Sequence, residues 1–394
     1  MEAKSVKEME EDTTVLVEGN ARINVIRGDA EVLGCPFKSA EVKQGRILPV
    51  YLKKDSLIEI EGKYIEVKGC TIPDSWVELV EGNFSRVFIF GEPDSGKSSL
   101  ATFILNKSNK INLATDLDIG QANIAHPSAM GFGMVNEKIL SLSEVKMQDG
   151  FFTGTISPSG NSSRCLMGVR RIGELIGDRN AVIDTTGWIK GRKARNYKLA
   201  KIEILKPDVI ACFGETPYYL SDYNVFNVES FVIRKRSREL RSSIRGRMYF
   251  EWLEGSELRE FEHHKIYNTS LFRGEKVDSE LLDELIEEEI VYAEKGFDFL
   301  NVCLSRETEI GYELVRALRE IYGVEEVNIF TAEQFKGLIV GLYSERYLGA
   351  GVIESIDVMN RKISVRTPVR EDVEKVEFGE IRLENGRDFY ARIP

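Results

Sequence analysis

The chain has 394 residues, of which 42% are hydrophobic and 30% charged. That balance excludes a disordered or fibrous protein and leaves room for two or three domains with a well-buried core. The net charge of −11 repels nucleic acid at long range, so contact with a strand would have to come from a local basic region.

Residues 12–82 read as short strands parted by turns. Segments 13–18, 21–26 and 56–61 alternate apolar and polar residues, and turns are marked by Glu18-Gly19-Asn20, Arg27-Gly28-Asp29 and Glu61-Gly62-Lys63. A small N-terminal β domain of sandwich or barrel type is expected over 1–82. The pattern changes at about residue 85. Val87-Phe88-Ile89-Phe90 is a continuous apolar run, as in a strand buried on both faces of a parallel sheet. A glycine loop follows, then a helical stretch over 97–107. Strands at 110–115, 181–184 and 208–213 alternate with helices at 165–176 and 195–205. This alternation predicts an α/β fold over 83–265, a central parallel sheet with helices on both faces. Beyond it, 278–294 and 309–322 read as amphipathic helices, and 337–343, 351–356 and 362–367 as strands. They predict a mostly β third domain over 266–394.

No apolar run approaches the ~20 residues of a membrane span, and the charged first ten residues lack an apolar signal core, so a cytoplasmic location is expected. Cys35, Cys70, Cys165, Cys212 and Cys303 are scattered and form no Cys-x-x-Cys pair. Reduced core thiols are expected rather than disulfides or a zinc site.

Gly91-Glu92-Pro93-Asp94-Ser95-Gly96-Lys97-Ser98 has the spacing G-x-x-x-x-G-K-S, lies between an apolar strand and a helix, and is followed by Ser99. Such a loop turns successive N–H groups toward phosphate oxygens at the positive end of the helix. Lys97 would reach the β- and γ-phosphates of a nucleoside triphosphate and Ser98 would ligate Mg²⁺. Asp116-Leu117-Asp118-Ile119-Gly120-Gln121 ends the next strand. A carboxylate there sits beside the phosphate loop, where it can hold Mg²⁺ or accept a proton from an attacking hydroxyl. Gln121 suits orientation of a nucleophile.

Asp184-Thr185-Thr186-Gly187-Trp188 should emerge on the same face of the sheet. Trp188 can stack on a nucleobase or pack beneath a domain interface. Lys190, Arg192, Lys193 and Arg195 then offer a path for a phosphate backbone, or a solvated helix start. Residues 234–247 carry seven basic residues and one acid. Arg241 and Arg245 share a helical face and can close over a triphosphate, or the run can serve as a general charged surface.

In this order the four motifs resemble the polynucleotide 5′-hydroxyl kinase family. That family includes the RNA kinase subunit of the eukaryotic mRNA 3′-end cleavage factor and of the tRNA splicing machinery, a nucleolar ribosomal-RNA-processing kinase, and archaeal RNA 5′-kinases. The resemblance extends over most of the chain, with 153–161 similar to a substrate-contacting loop that includes Asn161. It implies a P-loop NTPase core and transfer of the γ-phosphate of ATP, or GTP, to the 5′-hydroxyl of an RNA or DNA strand, with Mg²⁺. It further implies that Lys97 binds the phosphates, that Ser98 and Asp118 serve the metal, and that Asp118 activates the hydroxyl. Gln121 would position water or metal. Thr185, Thr186, Gly187 and Trp188 would form a clasp on the terminal base, with Arg192 beyond it, and Arg241 and Arg245 a lid. RNA-processing proteins are implied partners. A non-catalytic ATP-binding scaffold and an NTP hydrolase remain alternatives.

Overall fold

The computed structural model describes residues 4–231, 236–278 and 280–394. Arg234 and Lys235 of the basic run lie outside the described residues. The chain divides into two compact units: Met1–Thr153 with Ser157–Arg245, and Gly154–Ile156 with Gly246–Pro394.

The first unit opens with two antiparallel sheets. One has the strand order Ser5–Met9, Ser56–Glu61, Ala21–Arg27, Ser39–Val42. The other runs Cys35–Phe37, Ala30–Val32, Ile47–Leu52, Thr13–Glu18, Tyr64–Lys68. Thr13–Glu18 and Ser56–Glu61 take the bounds that the alternation predicts. Val15, Val17, Ile23, Val50, Leu52 and Ile58 supply one apolar core, which continues into Leu100, Phe103 and Ile104 of the helix Lys97–Lys107. The expectation of strands alone through residue 82 is corrected by the helix Asp74–Glu81. Pro73 starts it, Gly82 ends it, and it buries Trp76 and Leu79 against this core.

The next sheet has seven strands in the order Asp149–Phe152, Ala129–Met134, Leu113–Leu117, Ala181–Thr185, Arg86–Phe90, Val209–Phe213, Val225–Val228. The last five are parallel, and Arg86–Phe90 is central among them. The first two add antiparallel to the edge, so the sheet is mixed rather than wholly parallel. After Leu113–Leu117 the chain returns through a loop with no crossover helix, which permits only an antiparallel neighbour. Helix Lys97–Lys107 packs with the core on one face, and helices Ser162–Ile176 and Arg192–Leu205 with that on the other.

Helix Arg192–Leu205 buries Ala194, Tyr197, Ile202 and Leu205 together with two lysines, Lys198 and Lys201, both fully inaccessible. Among the described residues the Lys201 Nζ has no hydrogen-bond partner, and it lies 5.1 Å from the Tyr197 ring centroid. Burial pulls its ammonium down to about 8. A lysine held at about 8 instead of 10.5 carries a stability cost on the order of 3 kcal/mol at neutral pH. Lys201→Met should therefore raise the thermal midpoint by about 5 °C at pH 7. Because the lysine is depressed in the folded state, its cost is full below pH ~8 and fades as pH rises toward 10.5. The gain should fade over the same window, which thermal unfolding at pH 6, 7, 9 and 10 would measure.

The second unit holds a larger sheet in the order Glu257–Glu262, Lys362–Thr367, Tyr347–Asp357, Leu338–Tyr343, Lys375–Glu384, Ile266–Tyr267, with Arg387–Tyr390 beside Lys375–Glu384. A four-stranded sheet, Glu275–Lys276, Ile290–Lys295, Phe299–Leu304, Glu326–Thr331, carries the helices Glu280–Leu285 and Tyr312–Tyr322. The continuous helix expected over 278–294 is thus corrected. Only Glu280–Leu285 is helical, and Ile290–Lys295 pairs with the fully buried strand Phe299–Leu304. Tertiary pairing overrides the local periodicity, because Glu294 is fully buried there and accepts from Phe272 N, Gly274 N, Tyr292 OH and Asn301 Nδ2. Among the described residues no helix is long and apolar enough to cross a membrane. No cysteine is in a disulfide; four are buried, but Cys70 is exposed and is not the core thiol expected.

Candidate active site

The phosphate loop leaves the C-terminal end of the central strand, where ligands gather in open α/β sheets. Gly96, at φ +100°, turns the chain into helix Lys97–Lys107. Lys97 is only 6% exposed, and its Nζ donates to the Glu92 carbonyl at 2.6 Å. Burial lowers its ammonium below the usual lysine range, while Asp184, Asp118 and Asp94 oppose that shift. A buried cation surrounded by three carboxylates is a receptor for the phosphates of a nucleotide.

Ser98 Oγ donates to Asp184 Oδ2 at 2.5 Å. Asn123 Nδ2 lies 3.4 Å from the same hydroxyl. The hydroxyl expected to share a metal with Asp118 thus meets a different acid. Asp184 ends the strand Ala181–Thr185 and stands opposite Asp116 in the parallel pair. Burial raises the Asp184 carboxyl, against the pull of Lys97 and Ser98. Asp116 is also buried, and burial with Asp184 and Asp118 beside it pushes its carboxyl up to about 8. It organises the following loop, accepting the N–H groups of Asp118 at 2.9 Å, Ile124 at 3.2 Å and Asn123. Asp118 is half-buried; its Oδ1 accepts the N–H groups of Gly120 at 3.1 Å and Gln121 at 3.0 Å. Its Oδ2 has no partner among the described residues.

The arginine segment meets this loop. Arg241, in helix Arg238–Trp252, donates from Nη2 to Asp94 Oδ2 at 2.6 Å, and the Arg236 N–H reaches the same oxygen at 3.0 Å. Arg236 Nη1 also donates to Gln121 Oε1 at 3.2 Å and lies 3.7 Å from Asp94 Oδ1. The Nε of Arg241 is buried with no acceptor among the described residues. Arg245 lies one turn further along this helix and is half-buried; Arg247 belongs to the second unit.

The Thr-Thr-Gly-Trp loop passes directly over the phosphate loop. A Cβ on Gly187 would stand 2.4 Å from Pro93 N, so no larger residue fits without displacing that loop. Lys190 Nζ pairs with Glu92 Oε1 at 2.5 Å. Thr185 and Thr186 are buried, and Thr185 Oγ1 donates to the Ile89 carbonyl at 2.7 Å. Trp188 is half-buried, its ring centroid 5.8 Å from that of Tyr197. Arg192 is exposed at the start of its helix. Asn161 caps helix Ser162–Ile176, its Oδ1 accepting the Arg164 N–H at 3.2 Å. Gly91, Ser95 and Ser99 complete the phosphate loop and the start of its helix; the Ser95 hydroxyl is buried without a partner.

Asp184, Arg236 and Lys198 were not singled out as site residues by sequence reasoning. An apolar strand ending in an acid beside the phosphate-loop strand was the available signal for Asp184. Nothing distinguished Arg236 within its basic run or marked Lys198 as buried.

The profile of the family described as mRNA cleavage and polyadenylation factor CLP1 P-loop matches residues 91–255. A polyribonucleotide 5′-hydroxyl-kinase of Pyrococcus furiosus is 30% identical over 327 residues, 77% of this chain and 89% of that protein. One from Methanocaldococcus jannaschii is 29% identical over 338 residues, 77% of this chain and 88% of that protein. One from Thermococcus kodakarensis is 28% identical over 79% of this chain and 93% of that protein. Among solved structures, wild-type Clp1p in its complex with Pcf11p superposes with a TM-score of 0.64 at 13% identity, over 97% of this chain and 98% of that one. That likeness shows the shared fold.

Proposed function

The chain belongs to the polyribonucleotide 5′-hydroxyl-kinase family, and on that footing we propose that it transfers the γ-phosphoryl group of ATP to the 5′-hydroxyl of an RNA strand. The observation that carries the reading is the gathering of Lys97, the Ser98–Asp184 pair, Asp118 and the Arg236/Arg241 pair around one phosphate loop. In-line transfer needs alignment and charge neutralisation more than covalent help from the protein. The bond between Pγ and the β,γ-bridging oxygen breaks as the bond from O5′ to Pγ forms, leaving ADP and a 5′-phosphorylated strand.

Lys97 holds the β- and γ-phosphates. Arg241 and Arg236, now bound to Asp94, exchange that carboxylate for phosphate oxygens, and the unmet Nε of Arg241 gains an acceptor. Asp118 takes the 5′-hydroxyl proton through Oδ2, its other oxygen being committed to the loop. The hydroxyl of Ser98 and the carboxylate of Asp184 are hard oxygen donors of the kind Mg²⁺ takes beside substrate phosphates, and these two residues would hold it. When bound, Mg²⁺ neutralises charge on the β- and γ-phosphates. The clasp and the basic start of helix Arg192–Leu205 receive the strand, with Trp188 against its terminal base. Partner proteins of RNA processing belong to the same reading.

The test is incubation with ATP labelled in the γ-phosphate, Mg²⁺ and 5′-hydroxyl RNA oligonucleotides. A labelled strand supports the kinase. Bound ATP without transfer at high enzyme concentration would favour the scaffold reading and sink this one. GTP and DNA oligonucleotides in parallel reactions define donor and acceptor range.

A further inference from the structure

We propose that Lys198 is the residue that positions the acceptor clasp against the phosphate loop, a role resting on the kinase reading above. Lys198 lies on helix Arg192–Leu205, and its hydrogen bonds go to the clasp rather than to the phosphate loop. It is fully buried. Its Nζ donates to Thr185 Oγ1 at 2.8 Å and to the Thr186 carbonyl at 2.5 Å. Thr185 Oγ1 in turn donates to the carbonyl of Ile89, two residues before Gly91. An ammonium, a hydroxyl and a carbonyl thus form one polar chain from helix to clasp to the strand that feeds the phosphate loop.

The Thr186 hydroxyl is buried with no hydrogen-bond partner among the described residues, and the carbonyl of that residue is held by Lys198. The rings of Phe88 and Phe90, centred 6.0 and 5.9 Å from Nζ, give the ammonium an additional favourable face. Gly187 and Trp188 follow at once, so fixing Thr185 and Thr186 sets where the glycine passes Pro93 and where the indole stands. An apolar side chain would fill this position at less desolvation cost, and a buried lysine with two directed acceptors is the costlier solution. Lys201, three residues on, supplies the comparison: it is equally buried on the same helix and has no acceptor among the described residues.

Leaving buried hydrogen-bond acceptors unpaired typically costs about 10-fold in the equilibrium they govern. Lys198→Met should therefore lower kcat/KM for the 5′-hydroxyl oligonucleotide about 10-fold, with the larger share in acceptor KM, and leave the KM for ATP within about 2-fold. Lys201→Met should leave both within about 2-fold. Wild-type transfer is measured first: if there is none, the kinase reading fails and the clasp is not the cause. With wild-type transfer present, acceptor kinetics of Lys198→Met equal to wild type would overturn the proposal. Equal losses toward ATP and acceptor would overturn it too, since they mark a general structural defect. If Lys198→Met does not fold, as judged by thermal unfolding, Thr185→Val decides. It removes the hydroxyl in the middle of the chain while keeping the side chain's shape. An acceptor-specific rise in KM supports the role, and wild-type acceptor kinetics overturn it.

Discussion

Lys97→Ala should lower 5′-phosphorylation by on the order of 10³-fold or more, measured as kcat with labelled ATP and a saturating 5′-hydroxyl RNA. Asp184, Asp118 and Asp94 all favour the charged form of Lys97, which is buried with its Nζ on the Glu92 carbonyl, beside the loop where the phosphates would bind. Without it, the triphosphate would meet three carboxylates, and approach would be repelled rather than drawn in. Arginine would not restore the position, because the 2.6 Å contact to the Glu92 carbonyl places a compact ammonium, not a planar fork. Thermal unfolding separates this outcome from misfolding. A folded Lys97→Ala protein with wild-type turnover would overturn the assignment of the phosphate loop as the donor site.

Asp184→Asn should lower kcat by on the order of 10²-fold and raise the Mg²⁺ concentration needed for half-maximal rate. The substitution keeps one oxygen to accept from the Thr185 N–H at 2.9 Å, while the amide nitrogen replaces the oxygen that accepts from Ser98 Oγ and can only donate to that hydroxyl, so the shape is kept and the charge is lost. Asp118→Asn is the informative contrast. If Asp118 takes the hydroxyl proton, its loss depresses kcat with the Mg²⁺ profile unchanged. Titrating Mg²⁺ for both variants assigns each acid its role. A wild-type Mg²⁺ profile in Asp184→Asn would move the metal to Asp118.

What could be read from sequence was what depends on near neighbours. The phosphate loop is legible because its spacing, its apolar strand and its helix lie within about twenty consecutive residues. The order of α/β elements was legible for the same reason, as was the strand Lys362–Thr367. The Ser98–Asp184 contact joins residues 86 positions apart, and the pairing of Ala181–Thr185 with Arg86–Phe90, the strand that leads into the phosphate loop, brings them together. The spacing of Arg241 and Arg245 suggested a helical lid, yet Arg236 acts from the extended segment ahead of the helix, where helical periodicity says nothing. The buried lysines were least visible, since a charged residue on an amphipathic helix reads as solvated until its neighbours are known. The stretch 278–294 misled for the opposite reason: its local periodicity was helical, and a distant partner strand prevailed.

Gly187 meets Pro93 so closely that no side chain fits between them, and Lys190 is tied to Glu92 in the same loop. Two surfaces in such contact cannot change shape independently. On the proposed reading, in which the clasp receives the strand, ordering of the phosphate loop by a nucleotide is felt by the clasp, and the coupling free energy has one value whichever partner arrives first. We propose that the strand changes the hold on the nucleotide by the same factor that the nucleotide changes the hold on the strand. The missing side chain of Gly187 is, in that sense, the point through which the two substrates are thermodynamically linked.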